Sequence, residues 1–416
     1  MSIRPKRLLI SGLYVPGSGL TNVISVLMRE LSAHYELRGL GFQFLDFPAS
    51  SDSIVEGCPM HITGSQFRVF MPDPGWLENC MHNFRPEGIV VIGPPFLTLH
   101  FLGQLQDYRT QCPIILYLPL EGKIVNPDII GTLKLVDHCI LYTEYARLNM
   151  IALCETAVKA GVDFRRPVFS VVGHGVDTAD FFPISERIDA GGKQKANSAL
   201  KEQLFPGQPE LHDSFIILNA NRAYYRKRLD LTIAGFALFA KEHPKAYLYL
   251  HTGTTALKER IHLQELIDNS GASKQILLNV LNPEGEKVST SRLNLLYNLC
   301  DVGITTAMGE GWGLASFEHA ATGAPQIVPD HTSFSENWTG KGILLDISST
   351  EYVFYELADM YVVAPESVAE ALALVCTNRM HYDQMAKAGY DYAKAPSLAW
   401  SAVALKFTEI LEIALI

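Results

Sequence analysis

The residues from Cys300 to Glu318 read CDVGITTAMGEGWGLASFE, and they join an apolar strand pattern to a helical one. The apolar run at 302–306 is short and has no polar alternation, which is typical of a parallel strand buried on both faces. A glycine-rich turn follows, and residues 314–322 then have the spacing of a helix. A strand, a glycine-rich turn and a helix in this order predict the repeating unit of a parallel α/β sheet.

The same unit recurs through the whole chain. Short apolar runs that predict parallel strands occur in the first half at 8–11, 88–93, 114–119, 138–143 and 168–173, and in the second half at 215–220, 246–252, 275–280, 302–306, 326–329 and 342–346. Helical spacing separates these runs, as at Val23, Leu27 and Leu31. We therefore predict an α/β protein built from two Rossmann-like, doubly wound domains.

A change of composition marks the boundary between the two halves. Between residues 185 and 213 the apolar runs stop, and glycine, proline and charged residues replace them. This predicts an N-terminal domain at 1–185 and a C-terminal domain at 186–395. For residues 396–416 the pattern predicts an amphipathic helix, whose apolar face carries Trp400, Val403, Phe407, Ile410 and Leu411. Because an apolar face must be buried against another surface, we expect the helix to cross back and pack on the N-terminal domain.

Composition and charge exclude several classes of protein. The 416 residues are 48% hydrophobic and 19% charged, which supports sizeable cores and argues against disorder. A net charge of −10 argues against nucleic acid as a partner. The 7 cysteines contain no C-x-x-C pair, as expected of reduced thiols rather than of a disulfide framework or zinc site. The apolar run at 8–10 is too short for a signal peptide or a transmembrane segment, so we expect a cytoplasmic protein.

The glycine-rich turn carries the strongest candidate site. Its backbone N–H groups lie at the start of a predicted helix, where a phosphate can bind. Glu310 precedes that helix and Glu318 lies inside it, so the two carboxylates are expected to reach different parts of a long ligand. Each can accept hydrogen bonds from paired hydroxyls, such as those of a sugar or a ribose. The alternative is a helix-end charge and a solvated surface residue.

A second candidate site follows the predicted strand at 215–220. Residues 222–228 contain four cations, and they lie where open α/β sheets bind ligands. Arg222 can bind a pyrophosphate through two hydrogen bonds, and Lys227 can neutralise it as a point charge. The alternative is a solvated basic loop that leads into the next helix.

A third glycine-rich turn lies near the N-terminus, at residues 11–22. Gly17 and Gly19 form a G-x-G pattern, but Asn22 stands where the dinucleotide fingerprint has its third glycine. The pattern therefore gives little support to NAD binding. The glycines still allow the backbone to approach a ligand closely, and the alternative is a tight turn alone.

Together these motifs resemble the retaining glycosyltransferases of family four, which have the GT-B fold. The family signature is a pair of glutamates separated by seven residues after a glycine-rich turn, and Glu310 and Glu318 match it. The phosphate-binding arginine and lysine of the family match Arg222 and Lys227. The segment at 174–183 looks like the interdomain element of the family. The resemblance spans nearly the whole chain and is most specific in the second half.

The resemblance implies a fold and a reaction. It implies a GT-B fold with a cleft between the two Rossmann-like domains. It also implies transfer of a hexose-type sugar from a nucleotide diphospho-sugar to a glycan, lipid or small-molecule acceptor, with retention of configuration. No cofactor or metal is required in that family. Because some relatives modify lipids, the expected location is the cytoplasm or the periphery of the membrane.

The resemblance also assigns roles to the candidate residues. Glu310, Arg222 and Lys227 would be catalytic, with Glu310 on the transferring sugar and the two cations on the leaving pyrophosphate. The donor-binding residues would be Gly17, Gly19, Gly313, Leu314, Ala315 and Glu318, with Glu318 on the nucleotide ribose.

One position departs from the family pattern. Many members have a histidine at the end of a strand in the first domain, and here residues 117–122 read YLPLEG with Glu121 and no histidine. Glu121 is expected to contact the sugar or the acceptor, and the alternative is a surface charge at the strand end. His100 and His174 are the alternatives for the missing histidine, and His174 is expected to be structural.

Two other functions remain open from the sequence. One is a nucleotide-sugar epimerase or a phosphorylase of the same fold, although an epimerase would not need the pair of glutamates. The other is a catalytically silent subunit that binds a nucleotide-sugar. The presence of the four motif residues argues against a silent subunit, whereas the unusual segment at Glu121 leaves that possibility open. These residues are Arg222, Lys227, Glu310 and Glu318.

Overall fold

The computed structural model describes residues 4–15, 17–43, 50–64, 70–73, 75–184, 190–253, 257–279 and 288–416. The chain forms two compact units. Unit 1 contains residues 1–175, 352–359 and 400–416, and unit 2 contains residues 176–351 and 360–399.

Unit 1 is built on an eight-stranded sheet with the order β3-β4-β2-β1-β5-β6-β8-β9. All neighbours pair in parallel except β3 and β4, which are antiparallel. The strands are β1 (Arg7–Leu13), β2 (Glu36–Gln43), β3 (Ser51–Val55), β4 (Cys58–Gly64), β5 (Gly88–Ile92), β6 (Ile114–Leu118), β8 (His138–Leu141) and β9 (Val168–Val171). The two-residue strand β7 (Lys123–Ile124) lies outside this sheet.

Helices cover the sheet of unit 1 through their apolar sides. They are α1 (Gly19–Leu31), α2 (Trp76–Asn83), α3 (Pro95–Gln104), α4 (Ile129–Leu133), α5 (Glu144–Lys159) and α14 (Trp400–Ala414). Helix α14 packs against α1 and buries Trp400, Phe407 and Leu411. Glu412 on its polar side accepts a hydrogen bond from the Tyr35 hydroxyl at 2.8 Å. The last helix of the chain is therefore part of unit 1.

Unit 2 is built on a parallel six-stranded sheet with the order β12-β11-β10-β13-β14-β15. Its strands are β10 (Phe215–Asn219), β11 (Ala246–Leu250), β12 (Ile276–Leu278), β13 (Val302–Ile304), β14 (Gln326–Pro329) and β15 (Ile343–Leu345). Strands β16 (Ile347–Val353) and β17 (Ala358–Val363) lie outside it. Its helices are α6 (Ala190–Leu204), α7 (Leu229–Ala240), α8 (Leu257–Asp268), α9 (Thr290–Leu299), α10 (Leu314–Ala320), α11 (Thr332–Trp338), α12 (Pro365–Thr377) and α13 (Arg379–Ala393).

The prediction of two doubly wound α/β sheets is confirmed, and every predicted apolar run contains a strand. Two of the strands that the sequence did not predict, β2 and β3, show why a search for apolar runs misses them. Strand β2 begins with Glu36 and contains Arg38 and Gly39, and β3 is exposed along most of its length. Such strands lack the continuous apolar run that identifies a buried parallel strand.

The junction between the units lies at Gly175 and Val176, before the predicted boundary at 185 and 186. The backbone N–H groups of Phe182 and Ile184 donate to the side chains of Asn294 and Asn298 on α9. These bonds fix residues 176–184, the connecting segment, to unit 2. The predicted boundary was based on a change of composition, which does not reveal such hydrogen bonds. Residues 185–189 lie outside the described residues.

A buried ion pair ties α6 to the sheet of unit 2. Lys201 Nζ lies 3.2 Å from Asp301 Oδ2, and both side chains are almost completely buried. Asp301 also accepts hydrogen bonds from Asn197 Nδ2 at 2.8 Å and from the backbone N–H of Ile216 at 2.8 Å. Asp301 thus connects the helix, strand β10 and the start of strand β13.

Replacement of Asp301 by alanine should destabilise unit 2 by about 3–5 kcal/mol, because Lys201 then remains buried without a counter-charge. Urea unfolding followed by tryptophan fluorescence measures this change. The exposed Asp213 of the same unit is the control, and Asp213→Ala should change the free energy of unfolding by less than about 0.5 kcal/mol. Equal effects of the two substitutions would contradict the role of the ion pair.

Candidate functional site

A polar network at the carboxyl end of the second sheet holds two loops together. Asn219, the last residue of β10, donates from Nδ2 to Thr232 Oγ1 at 2.9 Å, and Thr232 Oγ1 lies 2.7 Å from Thr306 Oγ1. The Thr306 hydroxyl also donates to the backbone carbonyl of Arg228 at 2.7 Å. The basic loop after β10 is therefore fixed to the loop after β13.

Two further hydrogen bonds bring the same loops together. Asn221 Nδ2 donates to Thr305 Oγ1 at 3.0 Å, and the N–H of Met308 donates to the carbonyl of Arg226 at 2.8 Å. As a result, the cations that follow β10 lie beside the glycine-rich turn that follows β13. This is the edge of an open α/β sheet where ligands bind.

The centre of the site is the carboxylate of Glu310. Lys227 Nζ forms an ion pair with Glu310 Oε2, and Arg226 Nη1 lies 3.6 Å from the same oxygen. Arg226 also donates to the carbonyl of Gly309. Burial raises the pKa of Glu310, but the charges of Lys227 and Arg226 outweigh this effect and lower the pKa below its usual value. Glu310 is therefore ionised at neutral pH.

The backbone of Glu310 is held by the loop before α11. Ser333 Oγ donates to the Glu310 carbonyl at 2.6 Å. Thr332 has a φ of +47°, a left-handed conformation that a β-branched residue rarely adopts. Its hydroxyl lies 3.4 Å from the same carbonyl. Backbone strain of this kind persists only where the surrounding structure holds the residue in place. Here the strained residue lies in the loop that supports the backbone of Glu310.

His331 is a neutral, buried support of this loop. Its Nε2 donates to the carbonyl of Ala307 at 2.8 Å, so Nδ1 accepts from the Thr332 hydroxyl at 2.9 Å. The imidazole stacks on the ring of Tyr361 with a centroid distance of 5.0 Å. Burial lowers the pKa of His331 to about 4. The side chain therefore acts as a donor and an acceptor at neutral pH, not as a cation.

The turn ends at Gly313, which directly precedes α10. Gly313 has a φ of +92°, and a Cβ atom there would lie 2.7 Å from Phe334 Cε1. Only glycine fits both the backbone conformation and the space. No side chain caps α10, whose first residues are Leu314 and Ala315. The first N–H groups of a helix lack an acceptor within the helix, so these two can donate to a ligand.

Glu318 lies further along α10 and has a different environment. Its Oε2 accepts a hydrogen bond from the hydroxyl of Tyr297 at 2.8 Å. Burial raises the pKa of Glu318 to about 7, the Tyr297 hydrogen bond lowers it, and the charge of Asp180 raises it. The two glutamates of the signature therefore differ in chemistry, since one is ionised and the other titrates near neutrality.

Arg222 forms no ion pair with Glu310. Its side chain is exposed, and within the described ranges it makes no hydrogen bond or ion pair. Lys227 pairs with Glu310, a contact that the sequence did not predict, and Arg226 is the second cation there. Arg226 belongs to the basic cluster at 222–228, but the spacing of the family motif favours Arg222.

The candidate residues near the N-terminus belong to unit 1. Gly17 is exposed and has a φ of +78°, and Gly19 is the exposed first residue of α1. Ser18 caps that helix, since its Oγ accepts from the N–H of Thr21 at 3.1 Å. The Thr21 hydroxyl in turn donates to the carbonyl of Val15 at 2.7 Å. Local hydrogen bonds thus fix the turn that carries the two glycines.

Glu121 is partly buried and follows β6 in unit 1. Burial and, to a smaller extent, the charge of Glu121 raise the pKa of Tyr142. The ring of Tyr142 packs on His174 with a centroid distance of 4.2 Å, and His174 Nδ1 lies 3.0 Å from the Tyr117 hydroxyl. His174 thus belongs to a buried aromatic cluster. His100 is exposed on α3, with Nε2 3.2 Å from Gln104 Nε2.

Several residues of the candidate site were not selected from the sequence, because they lie outside the motifs and contact the motif residues only in the folded chain. Arg226, His331, Thr332 and Ser333 surround Glu310, and Tyr297 contacts Glu318. The pair His331–Thr332 follows strand β14, and a strand end at the same sheet edge is the signal that could have identified it.

Two classes of feature do not occur in the described part of the chain. There, no group of three or more histidine, cysteine, aspartate or glutamate side chains is arranged to bind a metal ion. Among the same residues, no helix combines the length and the apolar character needed to cross a membrane.

The sequence matches no protein-family model and no curated protein sequence. Solved structures match it over nearly its whole length. Sucrose-phosphate synthase from Thermosynechococcus elongatus has a TM-score of 0.72 and 13% identity, and the match covers 98% of each chain. HepE from Anabaena, in complex with UDP and glucose, has a TM-score of 0.70 and 13% identity, covering 98% of this chain and 100% of HepE.

A third structure gives the same result. The α,α-trehalose 6-phosphate synthase from Burkholderia multivorans has a TM-score of 0.68 and 13% identity, and the match covers 99% of each chain. These proteins have the GT-B fold. The fold of this chain is therefore the GT-B fold, and the fold prediction is confirmed.

The burial of His331 predicts a pH dependence of stability. The imidazole has a pKa of 6.5 when unfolded and about 4 when folded, so below pH 6.5 the unfolded chain binds the proton more tightly. The neutral imidazole therefore contributes fully to the free energy of unfolding above pH 6.5, and this contribution is lost as the pH falls towards 4. Between pH 7.5 and pH 4, wild type should lose about 3 kcal/mol more stability than His331→Gln.

Urea unfolding at each pH measures this difference. Glutamine can still donate to the Ala307 carbonyl but does not titrate. The exposed His262 provides the control, since His262→Gln should keep the pH dependence of wild type. A variant His331→Gln with the same pH dependence as wild type would show that the imidazole is not held neutral.

Proposed function

We propose that the chain is a retaining glycosyltransferase that moves a hexose-type sugar from a nucleotide diphospho-sugar to an acceptor. The observation that carries this proposal is the ionised carboxylate of Glu310, held by Lys227 and Arg226 in the turn between β13 and α10. The structural similarity supports it, since matched proteins include sucrose-phosphate and trehalose 6-phosphate synthases and a HepE complex with UDP and glucose. UDP is accordingly the first nucleotide to test.

Glu310 is proposed to bind the sugar that is transferred. An ionised carboxylate accepts hydrogen bonds only, and it can bind two hydroxyls of one sugar ring at once. These bonds are charge-assisted and therefore stronger than bonds between neutral groups. Because Ser333 and the adjacent loop fix the backbone of Glu310, its position does not have to change when a sugar binds.

The cations are proposed to stabilise the leaving nucleotide diphosphate. Negative charge develops on the diphosphate as the bond to the sugar breaks, and fixed cations stabilise that charge most when they are already in place. Lys227 and Arg226 are held beside the turn, and Arg222 is exposed with its fork of donors available. With three cations in this role, we propose that catalysis requires no metal ion or other cofactor.

The remaining candidate residues are proposed to bind the rest of the donor. The N–H groups of Gly313, Leu314 and Ala315 would donate to phosphate oxygens, and Glu318 would accept from the ribose hydroxyls. In unit 1, Gly17 and Gly19 form an exposed turn at the start of α1, where a helix N-terminus favours anions. Glu121 would contact the sugar or the acceptor.

The acceptor is proposed to be a glycan, a lipid or a small molecule. The 7 cysteines are free thiols, as in proteins of reducing compartments. We therefore propose a cytoplasmic enzyme, either free or peripheral to the membrane.

Substitution of Glu310 by glutamine tests the proposed role of the carboxylate. Glutamine keeps the size of the side chain but removes the charge, so turnover should fall by about two orders of magnitude or more. The affinity for UDP should not fall, because the substitution removes a negative charge beside Lys227 and Arg226. Release of UDP from UDP-glucose by hydrolysis measures turnover without knowledge of the acceptor, and calorimetry measures UDP affinity.

Glu242→Gln is the matched control, because Glu242 is an exposed glutamate of the same unit. It should retain the turnover and UDP affinity of wild type. Lys227→Ala should weaken both properties, since the lysine loses its contact with the diphosphate and with Glu310. Wild-type turnover in Glu310→Gln would show that the carboxylate has no catalytic role. UDP binding without any turnover of UDP-glucose in wild type would favour a catalytically silent subunit.

A further inference from the structure

Tyr297 is a buried residue beside the second glutamate of the signature, and its position is fixed from several sides. Its ring stacks on the imidazole of His319 with a centroid distance of 5.2 Å and an interplanar angle of 19°. Phe181 packs on it at a centroid distance of 5.6 Å. Thr322 Oγ1 donates to its backbone carbonyl at 3.3 Å. The phenol hydroxyl can therefore point in only one direction, towards Glu318.

The carboxyl group of Glu318 is held at one oxygen and open at the other. Oε2 accepts from the Tyr297 hydroxyl at 2.8 Å, whereas no described residue donates to Oε1. The side chain is only partly buried. A carboxylate offers about four acceptor sites, so Glu318 retains the capacity to bind further hydroxyls.

We propose that Tyr297 is a positioning residue, whose hydroxyl holds the Glu318 carboxylate so that its second oxygen accepts hydrogen bonds from the ribose of the donor nucleotide. This inference rests on the proposed function, which places Glu318 at the ribose. Tyr297 itself does not touch the donor. It acts through the orientation and the charge of Glu318.

The ionisation of Glu318 depends on the groups that surround it. Burial raises its pKa to about 7, the hydrogen bond from Tyr297 on α9 lowers it, and the exposed Asp180 of the connecting segment raises it. Helix α13 packs on α10 through Tyr392 and Phe317, and strands β13 and β14 carry no charged side chains. Burial and Glu318 raise the pKa of Tyr297 itself, so the phenol remains a donor.

This arrangement predicts how nucleotide binding depends on pH. Ionised Glu318 accepts hydrogen bonds more strongly than the protonated form, so affinity should fall as the pH drops through about 7. Removal of the Tyr297 hydroxyl takes away a bond that favours the ionised form. The pKa of Glu318 then rises, and the loss of affinity begins at a higher pH.

Calorimetric titration with UDP at pH 6, 7, 8 and 9 tests this inference on wild type, Tyr297→Phe and Glu318→Gln. The diphosphate titrates in the same range, but it does so equally for all three proteins. Relative to Glu318→Gln, wild type should lose about tenfold in affinity between pH 8 and pH 6. Tyr297→Phe should bind about fivefold more weakly than wild type at pH 7, and the difference should shrink towards pH 9 to the part that comes from orientation alone.

The buried Tyr382 provides the matched control. Its hydroxyl donates to the backbone carbonyl of Asp301 at 2.7 Å, so Tyr382→Phe removes a buried hydroxyl without touching the hydrogen bond to Glu318. This variant should keep the pH profile of wild type. If Tyr297→Phe does not fold, Glu318→Asp breaks the same hydrogen bond from the other side and should move the profile in the same direction.

The possible failures are distinguishable. Identical pH profiles for wild type and Tyr297→Phe, with UDP bound in both, overturn the inference and leave the proposed function intact. Equal shifts of the pH profile in Tyr297→Phe and Tyr382→Phe would also overturn the inference and leave the proposed function intact. Absence of UDP, GDP and ADP binding to wild type at every pH overturns the proposed function, and this inference with it.

Discussion

A buried negative charge needs compensation, and the candidate site of this protein is organised around that requirement. The Glu310 carboxylate stays ionised in a partly buried turn because Lys227 lies against it and Arg226 lies within 3.6 Å. The hydrogen bonds among the ends of β10 and β13 place the cations beside the carboxylate. If the loops moved apart, an unpaired charge would remain on each side. The chemistry of the site and the stability of its two loops therefore depend on one interaction.

Under the proposed function, the same interaction would allow one site to bind both parts of a nucleotide-sugar. A sugar offers hydroxyl donors, for which an ionised carboxylate is a strong acceptor, and a diphosphate needs cations. Lys227 and Arg226 serve both parts of the donor. They keep Glu310 ionised in the free protein, and they lie where a diphosphate would bind in the proposed complex. Such a preorganised site requires little rearrangement when charge develops in the transition state. Glu318, which titrates near neutrality, would instead make donor binding sensitive to pH.

Much of the fold could be predicted from sequence, because buried parallel strands leave continuous apolar runs such as 88–93 and 302–306. Strands β2 and β3 could not, since one begins with charged residues and the other is an exposed edge. At the candidate site, the motif spacing selected Glu310 and Lys227 as candidates, and the structure brings these two side chains together in an ion pair. The spacing did not identify Arg226 or His331, because their roles arise from contacts between loops that are distant in sequence. Local patterns reveal which residues can do chemistry, whereas only the folded chain shows which of them meet.

The central claim is that unit 2 binds a nucleotide diphosphate at the cluster of Glu310, Lys227 and Arg226. The most direct measurement is the thermal shift of the full-length protein with UDP, GDP and ADP and their sugar conjugates, in buffer that contains EDTA. Ligand that binds only the folded state raises the melting temperature. The account predicts a rise with one nucleotide family, and predicts that Lys227→Ala reduces this rise. No shift with any nucleotide in wild type, with EDTA or with magnesium, would contradict the account.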